Sequence, residues 1–390
     1  MDVSLFIASR LRFKGKMAVI CIAVSFVVTI IAVSISSGYR HEIRAGLSRA
    51  SGDVLITAPD QNVLNEERPI EAAPAYLPHV SSLPSVAEVI PVVYRAGIVR
   101  HDGNIYGVML KGSPEGVPSD SLSLAVSIPA GLAEKAGLAP GDRMLTYFVG
   151  GNVKLRQFSV AAVHDDIVGA DDRYVVYASN ADLQRLNGWD TGQVSALEVM
   201  LEKGYRTEED IRAAGDEIGF MINAYASEDE EAVVAMSSVS RFPRLFNWLE
   251  IIDFNVLVII VLMIIVAGFN MISGLLIILF ENISTIGLLK SLGMTDRAIA
   301  KVFLASSASI TLKGMIAGNL IALIFCLIQS ATHVLKLDPE NYFVSFVPVH
   351  ADIPMILVAD AVSFAAIMLM MLIPCMFISK VDPAQTVRVR

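Results

Sequence analysis

Four long apolar runs constrain this chain more than any other feature. A bilayer core about 30 Å thick is crossed by a helix of roughly 20 apolar residues, because each residue adds about 1.5 Å. Four segments meet this requirement: 17–37, 254–280, 302–328 and 354–378. They account for a composition that is 54% hydrophobic and only 18% charged, which is unusual for a soluble domain. We therefore predict an α-helical membrane protein with four transmembrane helices.

The first run differs from a cleaved signal peptide, although basic residues precede it. It is longer than the apolar region of a signal peptide, and no small-residue cleavage motif follows it. The sequence after the run is Gly38-Tyr39-Arg40-His41. We therefore interpret this run as an uncleaved membrane anchor.

Basic residues in the short segments between the runs predict the orientation. Cytoplasmic loops carry an excess of Lys and Arg. The basic residues concentrate in the segments 1–16, 281–301 and 379–390: Arg10, Arg12, Lys14, Lys16, Lys290, Arg297, Lys301, Lys380, Arg388 and Arg390. The segment 329–353 contains only Lys336. We expect a multi-pass protein of the bacterial inner membrane with both termini cytoplasmic, and with 38–253 and 329–353 in the periplasm.

The large segment outside the membrane is acidic and free of cysteine. Residues 39–250 contain 18 Lys and Arg against 30 Asp and Glu. All three cysteines, Cys21, Cys326 and Cys375, lie in apolar runs, so no disulfide framework can hold this segment together. The net charge of −9 for the whole chain argues against a nucleic-acid partner.

Alternating apolar residues and turn signals predict an α+β domain between the first two spans. We expect strands at 53–57, 89–100, 104–111, 196–201 and 221–225, and a helix whose N-terminus is marked by Thr207 and Asp210. Two βαβ-type halves would flank an insertion at 119–189. The segments 39–49 and 227–250 would connect the domain to spans one and two as helical stalks.

A search for catalytic motifs finds none. A phosphate-binding loop needs G-x-x-x-x-G-K-[ST], whereas Gly15-Lys16 lacks both the earlier glycine and the following Ser or Thr. His41-Glu42 begins like a zinc-protease motif, but the second histidine is missing. Asp165, Asp166, Asp171 and Asp172 could hold calcium, yet a solvated turn is the simpler reading. We therefore predict no enzyme, no cofactor and no metal in this chain.

The segment after the second span carries the strongest family resemblance. It reads Glu281-Asn-Ile-Ser-Thr-Ile-Gly-Leu-Leu-Lys-Ser-Leu-Gly-Met294. This is similar to the E-[KR]-x-x-[ED]-I-[GA]-x-[LM]-[KR]-[AS]-[LMI]-G-[MA] stretch of FtsX-like ABC transporter permeases. Asn282 and Thr285 depart from that pattern. Independently of the resemblance, Ile283, Ile286 and Leu289 fall on one predicted helix, which Gly293 can end. Thr295 can then cap the next helix.

Further matches cover nearly the whole chain and narrow the resemblance to the lipoprotein-releasing permeases of the LolC and LolE type. They are Phe6 to Arg10 (FIASR), Gly38-Tyr39, Glu42-Ile43, Gly52-Asp53-Val54, Gly141-Asp142, Tyr342 to Pro348, Pro374 and Asp382-Pro383-Ala384. The resemblance implies a MacB-like periplasmic domain and a dimer with a second permease, either the same chain or a LolC/LolE-like one. It also implies a LolD-like cytoplasmic ATPase dimer that binds ATP and magnesium, a lipoprotein substrate, a possible LolA-like carrier and surrounding lipids.

Candidate functional residues follow from this resemblance and from charges in the spans. The resemblance assigns ATPase coupling to Glu281, Ile283, Ile286, Gly287, Leu289, Lys290, Leu292, Gly293 and Met294. It places a carrier contact in the hairpin near 147–158, at Phe148, Val149, Asn152 and Val153. Charges within or beside the spans are Lys313, Asp360, Glu250 and Asp253. Lys313 and Asp360 could form a structural ion pair or line a cavity. Glu250 and Asp253, at the outer end of span two, could lie at the substrate entrance or anchor the helix at the membrane interface.

Alternative readings remain open at the sequence level. The helix after span two could lie on the lipid surface instead of contacting an ATPase. An FtsX-like protein would instead transmit force to periplasmic cell-wall hydrolases, although its outer domain is typically smaller. MacB-like efflux is a third possibility, although such chains usually carry their own ATPase domain.

Overall fold

The structure is a computed structural model that describes residues 16–60, 68–101, 103–112, 124–150, 153–165, 174–205, 207–337 and 342–376. The chain divides into two compact units. The helical unit comprises Met1–His41, Leu249–Lys336 and Phe346–Arg390, and the sheet unit comprises Glu42–Trp248 and Leu337–Ser345. We describe each unit separately below.

The helices and strands are numbered in chain order. The helices are α1 (Lys16–Ser51), α2 (Leu77–Ser81), α3 (Ala130–Ala136), α4 (Asn180–Asn187), α5 (Glu208–Tyr225), α6 (Ser238–Arg241), α7 (Pro243–Glu281), α8 (Ile283–Ser291), α9 (Asp296–Thr332), α10 (Ile353–Met370) and α11 (Leu372–Cys375). The strands are β1 (Val54–Thr57), β2 (Ile70–Glu71), β3 (Val86–Val92), β4 (Tyr94–His101), β5 (Asn104–Gly112), β6 (Ala125–Pro129), β7 (Arg143–Phe148), β8 (Lys154–His164), β9 (Tyr174–Ala178), β10 (Gln193–Val194), β11 (Ala196–Leu201) and β12 (Val234–Ser237).

Four helices in the described residues are long and apolar enough to cross a membrane: α1, α7, α9 and the segment Ile353–Cys375. The predicted runs each fall within one of these segments, apart from 376–378 at the end of the last run. The helices pack through a buried apolar cluster that includes Ile22, Phe26, Met271, Phe303 and Ile367. The predicted fold class, four transmembrane helices with an α+β domain between the first two, is confirmed.

Two of these helices extend well beyond the apolar runs. Helix α1 has 36 residues and ends at Ser51, because no Gly or Pro interrupts it until Gly52 adopts a left-handed conformation with φ of 69°. Helix α7 has 39 residues and begins at Pro243, a position where the missing N–H of proline has no cost. The predicted stalk at 227–250 is therefore wrong in part, since β12 and α6 occupy 234–241.

A four-stranded antiparallel sheet in the order β12-β1-β11-β3 forms one part of the sheet unit. Helix α5 connects β11 to β12 and buries Ile211, Ala214, Ile218 and Ile222. The predicted capping box is present: Thr207 accepts from the Asp210 N–H, and Asp210 accepts from the Thr207 N–H. This hydrogen bonding lowers the pKa of the Asp210 carboxyl.

A closed six-stranded barrel in the order β4-β5-β9-β6-β8-β7 forms the other part. Two of its pairings, β5 with β9 and β6 with β8, are parallel, and the others are antiparallel. Phe148 and Phe158 fill its interior and contact each other edge to face. The predicted insertion at 119–189 therefore covers only part of the barrel, because the barrel already begins at Tyr94.

Two predicted strands differ from the structure. The expected strand at 89–100 is two strands, β3 and β4, separated at Val93, so that the chain passes from the sheet into the barrel. The expected strand at 221–225 is the last part of α5. A short apolar run fits either a strand or a buried helix, and here the amphipathic period of the helix continues through it.

Candidate coupling site

The segment between α7 and α9 folds into a short helix with defined ends. Helix α8 spans nine residues, Ile283–Ser291. Its C-terminus is closed by Gly293, whose φ is 89°, and the N–H groups of Gly293 and Met294 donate to the carbonyls of Lys290 and Leu289 at 2.9 and 3.0 Å. The Thr295 side chain accepts from the Ala298 N–H and caps α9. This agrees with the helix ends expected from Gly293 and Thr295.

One side of α8 is anchored in the helical unit. Ile286 is buried, and Leu289 and Met294 pack against the same apolar cluster, which also includes Ile299 and Phe303. Gly287 is buried as well. These residues pack α8 directly against the membrane helices.

The opposite side of α8 exposes two leucines one turn apart. Leu288 is 56% exposed and Leu292 is 76% exposed, and residues four apart are neighbours on a helix surface. Glu281, Ser284 and Thr285 are exposed on this segment, and Ile283 is half-buried. We call Leu288 and Leu292 the coupling pair. Sequence reasoning missed Leu288, although its i, i+4 relation to Leu292 was a usable signal.

Lys290 has a structural role within the segment. Its ammonium lies 2.8 Å from the Asp296 carboxylate, across the turn at Gly293, and its side chain is 10% exposed. The salt bridge connects the end of α8 to the first turn of α9. Lys290 is thus paired within the segment, whereas the side chains of Glu281 and Leu292 are exposed.

Of the two alternatives for Lys313 and Asp360, the structure does not show the ion pair. Lys313 is exposed, whereas Asp360 is buried and accepts a hydrogen bond from the Asn319 amide. Lys313 and Asp360, both described, form no ion pair. The packing register of α9 and α10 brings Asn319, six residues after Lys313, beside Asp360, and sequence spacing alone does not fix this register.

Asp253 connects the first two membrane helices within the helical unit. Its carboxylate forms an ion pair with Arg40 and accepts a hydrogen bond from Ser36. Glu250 is exposed on α7. Both acidic residues lie inside α7, because this helix already begins at Pro243.

The β7–β8 hairpin presents apolar residues at its tip. Val149 is 64% exposed and Val153 is 70% exposed, and the hairpin register ends with Phe148 opposite Lys154. Phe148 itself is buried in the barrel, so it cannot contact a carrier directly. Asn152 lies outside the described residues.

The described part of the chain contains no group of three or more His, Cys, Asp or Glu side chains arranged to hold a metal ion. Asp166, Asp171 and Asp172, the carboxylates considered for calcium, lie outside the described residues.

Comparison with known proteins supports the resemblance on two levels. Residues 257–383 match the family described as FtsX-like permease C-terminal. The lipoprotein-releasing system transmembrane protein LolC of Neisseria meningitidis serogroup B is 20% identical, and the match covers 97% of this chain and 94% of that protein. LolC of Xylella fastidiosa is 19% identical with the same coverage.

Among solved structures, the periplasmic region of MacB from Actinobacillus actinomycetemcomitans is similar at a TM-score of 0.31 and 12% identity, covering 51% of this chain and 96% of that one. The FtsX-like domain lies in the region that contains α8 and most of the membrane helices. Residues 257–383 are therefore similar to the C-terminal domain of FtsX-like permeases, in a chain that resembles the LolC transmembrane proteins over almost its whole length.

Proposed function

We propose that this chain is the permease subunit of an ABC transporter that extracts lipoproteins from the inner membrane and transfers them to a periplasmic carrier. The observation that carries this proposal is the similarity to LolC, which extends through the sheet unit as well as the FtsX-like domain. A shared membrane domain alone would fit any FtsX-like permease. Similarity through both units favours the lipoprotein-releasing branch.

The proposed orientation puts both termini, α8 and the turn at Gly293 in the cytoplasm. The support is the distribution of Lys and Arg, which favours the segments 1–16, 281–301 and 379–390. The acidic sheet unit is then periplasmic. In this orientation α8 faces the compartment that supplies ATP.

The coupling pair is the proposed contact with a separate ATPase subunit. Exposed apolar residues one turn apart suit a groove in a soluble protein. A helix that merely lies on lipid usually has Lys or Arg along its polar face. Here the polar positions beside the pair are Ser284, Thr285 and Ser291, and Lys290 faces Asp296. This composition favours a protein partner over the lipid surface.

ATP and magnesium belong to the partner in this proposal. The sequence contains no phosphate-binding loop, so hydrolysis occurs in a cytoplasmic ATPase dimer that engages two permease subunits. The second permease is either another copy of this chain or a related one. Its contact surface includes the exposed apolar faces of the membrane helices.

The β7–β8 hairpin is the proposed carrier contact. Val149 and Val153 are exposed on either side of its tip, and an apolar patch of this kind on a periplasmic domain marks an interaction site. The barrel holds the hairpin through pairing of β7 with β4 and of β8 with β6. The tip is thus displayed on a rigid base.

The test is reconstitution of the detergent-purified complex into liposomes that contain a fluorescent lipoprotein. We expect an ATPase to co-purify with the chain, and lipoprotein to leave the liposomes only when ATP and a soluble carrier are present. Depletion of the chain in cells should leave lipoproteins in the inner membrane. Normal lipoprotein sorting after depletion would contradict the proposal, and a change in cell-wall hydrolysis alone would support the FtsX-like alternative.

A further inference from the structure

Two cations from the sheet unit, the buried Lys111 and the half-buried Arg241, bind the C-terminal end of α1. The last carbonyls of a helix lack intrahelical partners. The Lys111 ammonium donates to the carbonyls of Arg49 and Ala50 at 2.7 and 3.2 Å. The Arg241 guanidinium donates to the carbonyl of Ser51 at 3.1 Å. These contacts also suit the negative end of the helix dipole.

Lys111 is held in place by a carboxylate and a phenol from two other strands. Its ammonium lies 2.7 Å from Glu198, and the two side chains are 5% and 3% exposed. The Tyr94 hydroxyl donates to the same carboxylate, and Tyr94 is paired directly with Lys111 in the β4–β5 ladder. Burial raises the pKa of Glu198 and of Tyr94 and lowers the pKa of Lys111. Strands β4, β5 and β11 therefore all position one ammonium group.

Burying this charged cluster in the protein interior costs free energy. Removing two charges from water is costly, and a buried ion pair can often be replaced by apolar residues of similar volume without loss of stability. A pair buried this deeply is thus weak evidence for a purely stabilising role. Its distinctive property is that the Lys111 ammonium donates hydrogen bonds to carbonyls at the end of α1, which an apolar side chain cannot do.

The cluster lies at the end of α1 and close in sequence to the start of α7. Helix α1 is continuous from Lys16 to Ser51. Arg241 is two residues before Pro243, the first residue of α7, and α7 continues to Glu281 beside α8. The contact of Arg241 with Ser51 thus joins the end of α1 to the short helix that precedes α7.

We propose that Lys111, Glu198, Tyr94 and Arg241 form a locked joint that makes the end of α1 and the β-sheet and barrel move as one body, and that transport depends on this joint. The inference rests on the proposed function for its transport part. When ATP drives the membrane helices, a locked joint converts their movement into movement of the barrel. A loose joint would let the helix end slip relative to Lys111.

The decisive variant removes the charges while keeping the volume. Lys111→Met, Glu198→Met and Tyr94→Phe together remove the ammonium, the carboxylate paired with it and the hydroxyl that donates to that carboxylate, so only the carbonyls of Arg49 and Ala50 lose a donor. We therefore expect a moderate fall in thermal stability without loss of the fold. Hydrogen exchange at the amides of Leu47 to Ser51 should become faster. In liposomes, ATP hydrolysis should persist while lipoprotein release falls about tenfold, the usual size of a coupling effect.

A matched control separates the joint from ion pairs in general. Arg185 pairs with Asp182 in the same unit but does not contact α1, so Arg185→Gln should change neither hydrogen exchange at 47–51 nor release. If the triple variant releases lipoprotein at the full rate, or if its exchange at 47–51 is unchanged, the joint is not locked by these residues. Failure of the unmodified protein to release lipoprotein would instead count against the proposed function, and the exchange measurement would still decide whether the joint exists.

Discussion

Gly52 ends the first membrane helix in a backbone conformation that residues with a side chain rarely adopt. Its φ is 69°, and its N–H donates to the Ser48 carbonyl at 2.8 Å. A Cβ atom built at this position would lie 3.0 Å from the Cβ and 3.2 Å from the Cα of Glu198. The chain therefore turns from α1 into β1 at a point where only the smallest residue fits against β11.

Substitution of Gly52 by alanine should destabilise the protein measurably. The left-handed conformation costs an L-residue about 1–2 kcal/mol, and the contact with Glu198 adds to that cost. Gly137→Ala is the matched control, because Gly137 also has a positive φ, of 64°, but no atom lies within 4 Å of its added Cβ. We expect thermal unfolding of the purified protein at a lower temperature for Gly52→Ala than for Gly137→Ala. Equal unfolding temperatures would show that the close contact with β11 adds nothing to the free-energy cost of the substitution.

Individual residues differ in how far the sequence could reveal their roles. The capping pair Thr207 and Asp210 and the helix stop at Gly293 were predictable, because both ends of each contact lie within a few residues. The partner of Asp360 was not, since Asn319 comes from another helix whose register depends on packing. Lys111 and Glu198 are 87 residues apart, and nothing in either local segment indicates the other.

At the scale of elements, one side of α8 packs against the membrane helices and the other side is exposed. Ile286 and Leu289 pack into the helical unit, and the coupling pair does not. The family resemblance had grouped residues of both sides as coupling residues. Sorting them by burial predicts which substitutions affect folding and which affect the partner.

Substitutions in the coupling pair should weaken ATPase binding without affecting stability. Leu292→Asp places a charge where the proposed contact is apolar, and we expect at least a tenfold loss of ATPase association, as for a central contact residue. Val334→Asp is the matched control, because Val334 is 68% exposed in the same unit but follows the end of α9, whereas Leu292 directly follows α8. The measurement is the amount of ATPase that co-purifies, with the unfolding temperature recorded for each variant. Equal loss from both variants would argue against a specific contact at α8.

The sequence predicted elements better than it predicted their assembly. The helix spans, α5 and the β4–β5 hairpin follow from periodicity and turn residues. The closed barrel could not be predicted in this way, because its parallel pairings join strands far apart in sequence, such as Val108 with Tyr174 and Ala125 with Ser159. The break at Val93 was also missed, because no turn residue marks the point where the chain leaves β3 for β4.

At the scale of the whole molecule, the proposed cycle requires two different contacts with partners, one on each unit. The helical unit offers the coupling pair, and the sheet unit offers the hairpin tip with Val149 and Val153. The proposed joint at the end of α1 lies within the sheet unit. Each contact can therefore be removed separately, and the defects should differ in kind.

Substitution at the hairpin tip should block transfer while leaving the ATPase contact intact. Val149→Asp with Val153→Asp removes the exposed apolar patch, so we expect ATP hydrolysis and ATPase co-purification to persist while delivery to the carrier falls about tenfold or more, as for loss of a central contact. Ile105→Asp is the matched control, because Ile105 is 70% exposed on the β4–β5 hairpin of the same barrel. The measurement is carrier-bound lipoprotein after reconstitution with ATP. Full delivery by the double variant would move the carrier contact away from this hairpin, whereas equal loss in the control would point to a broader face of the barrel.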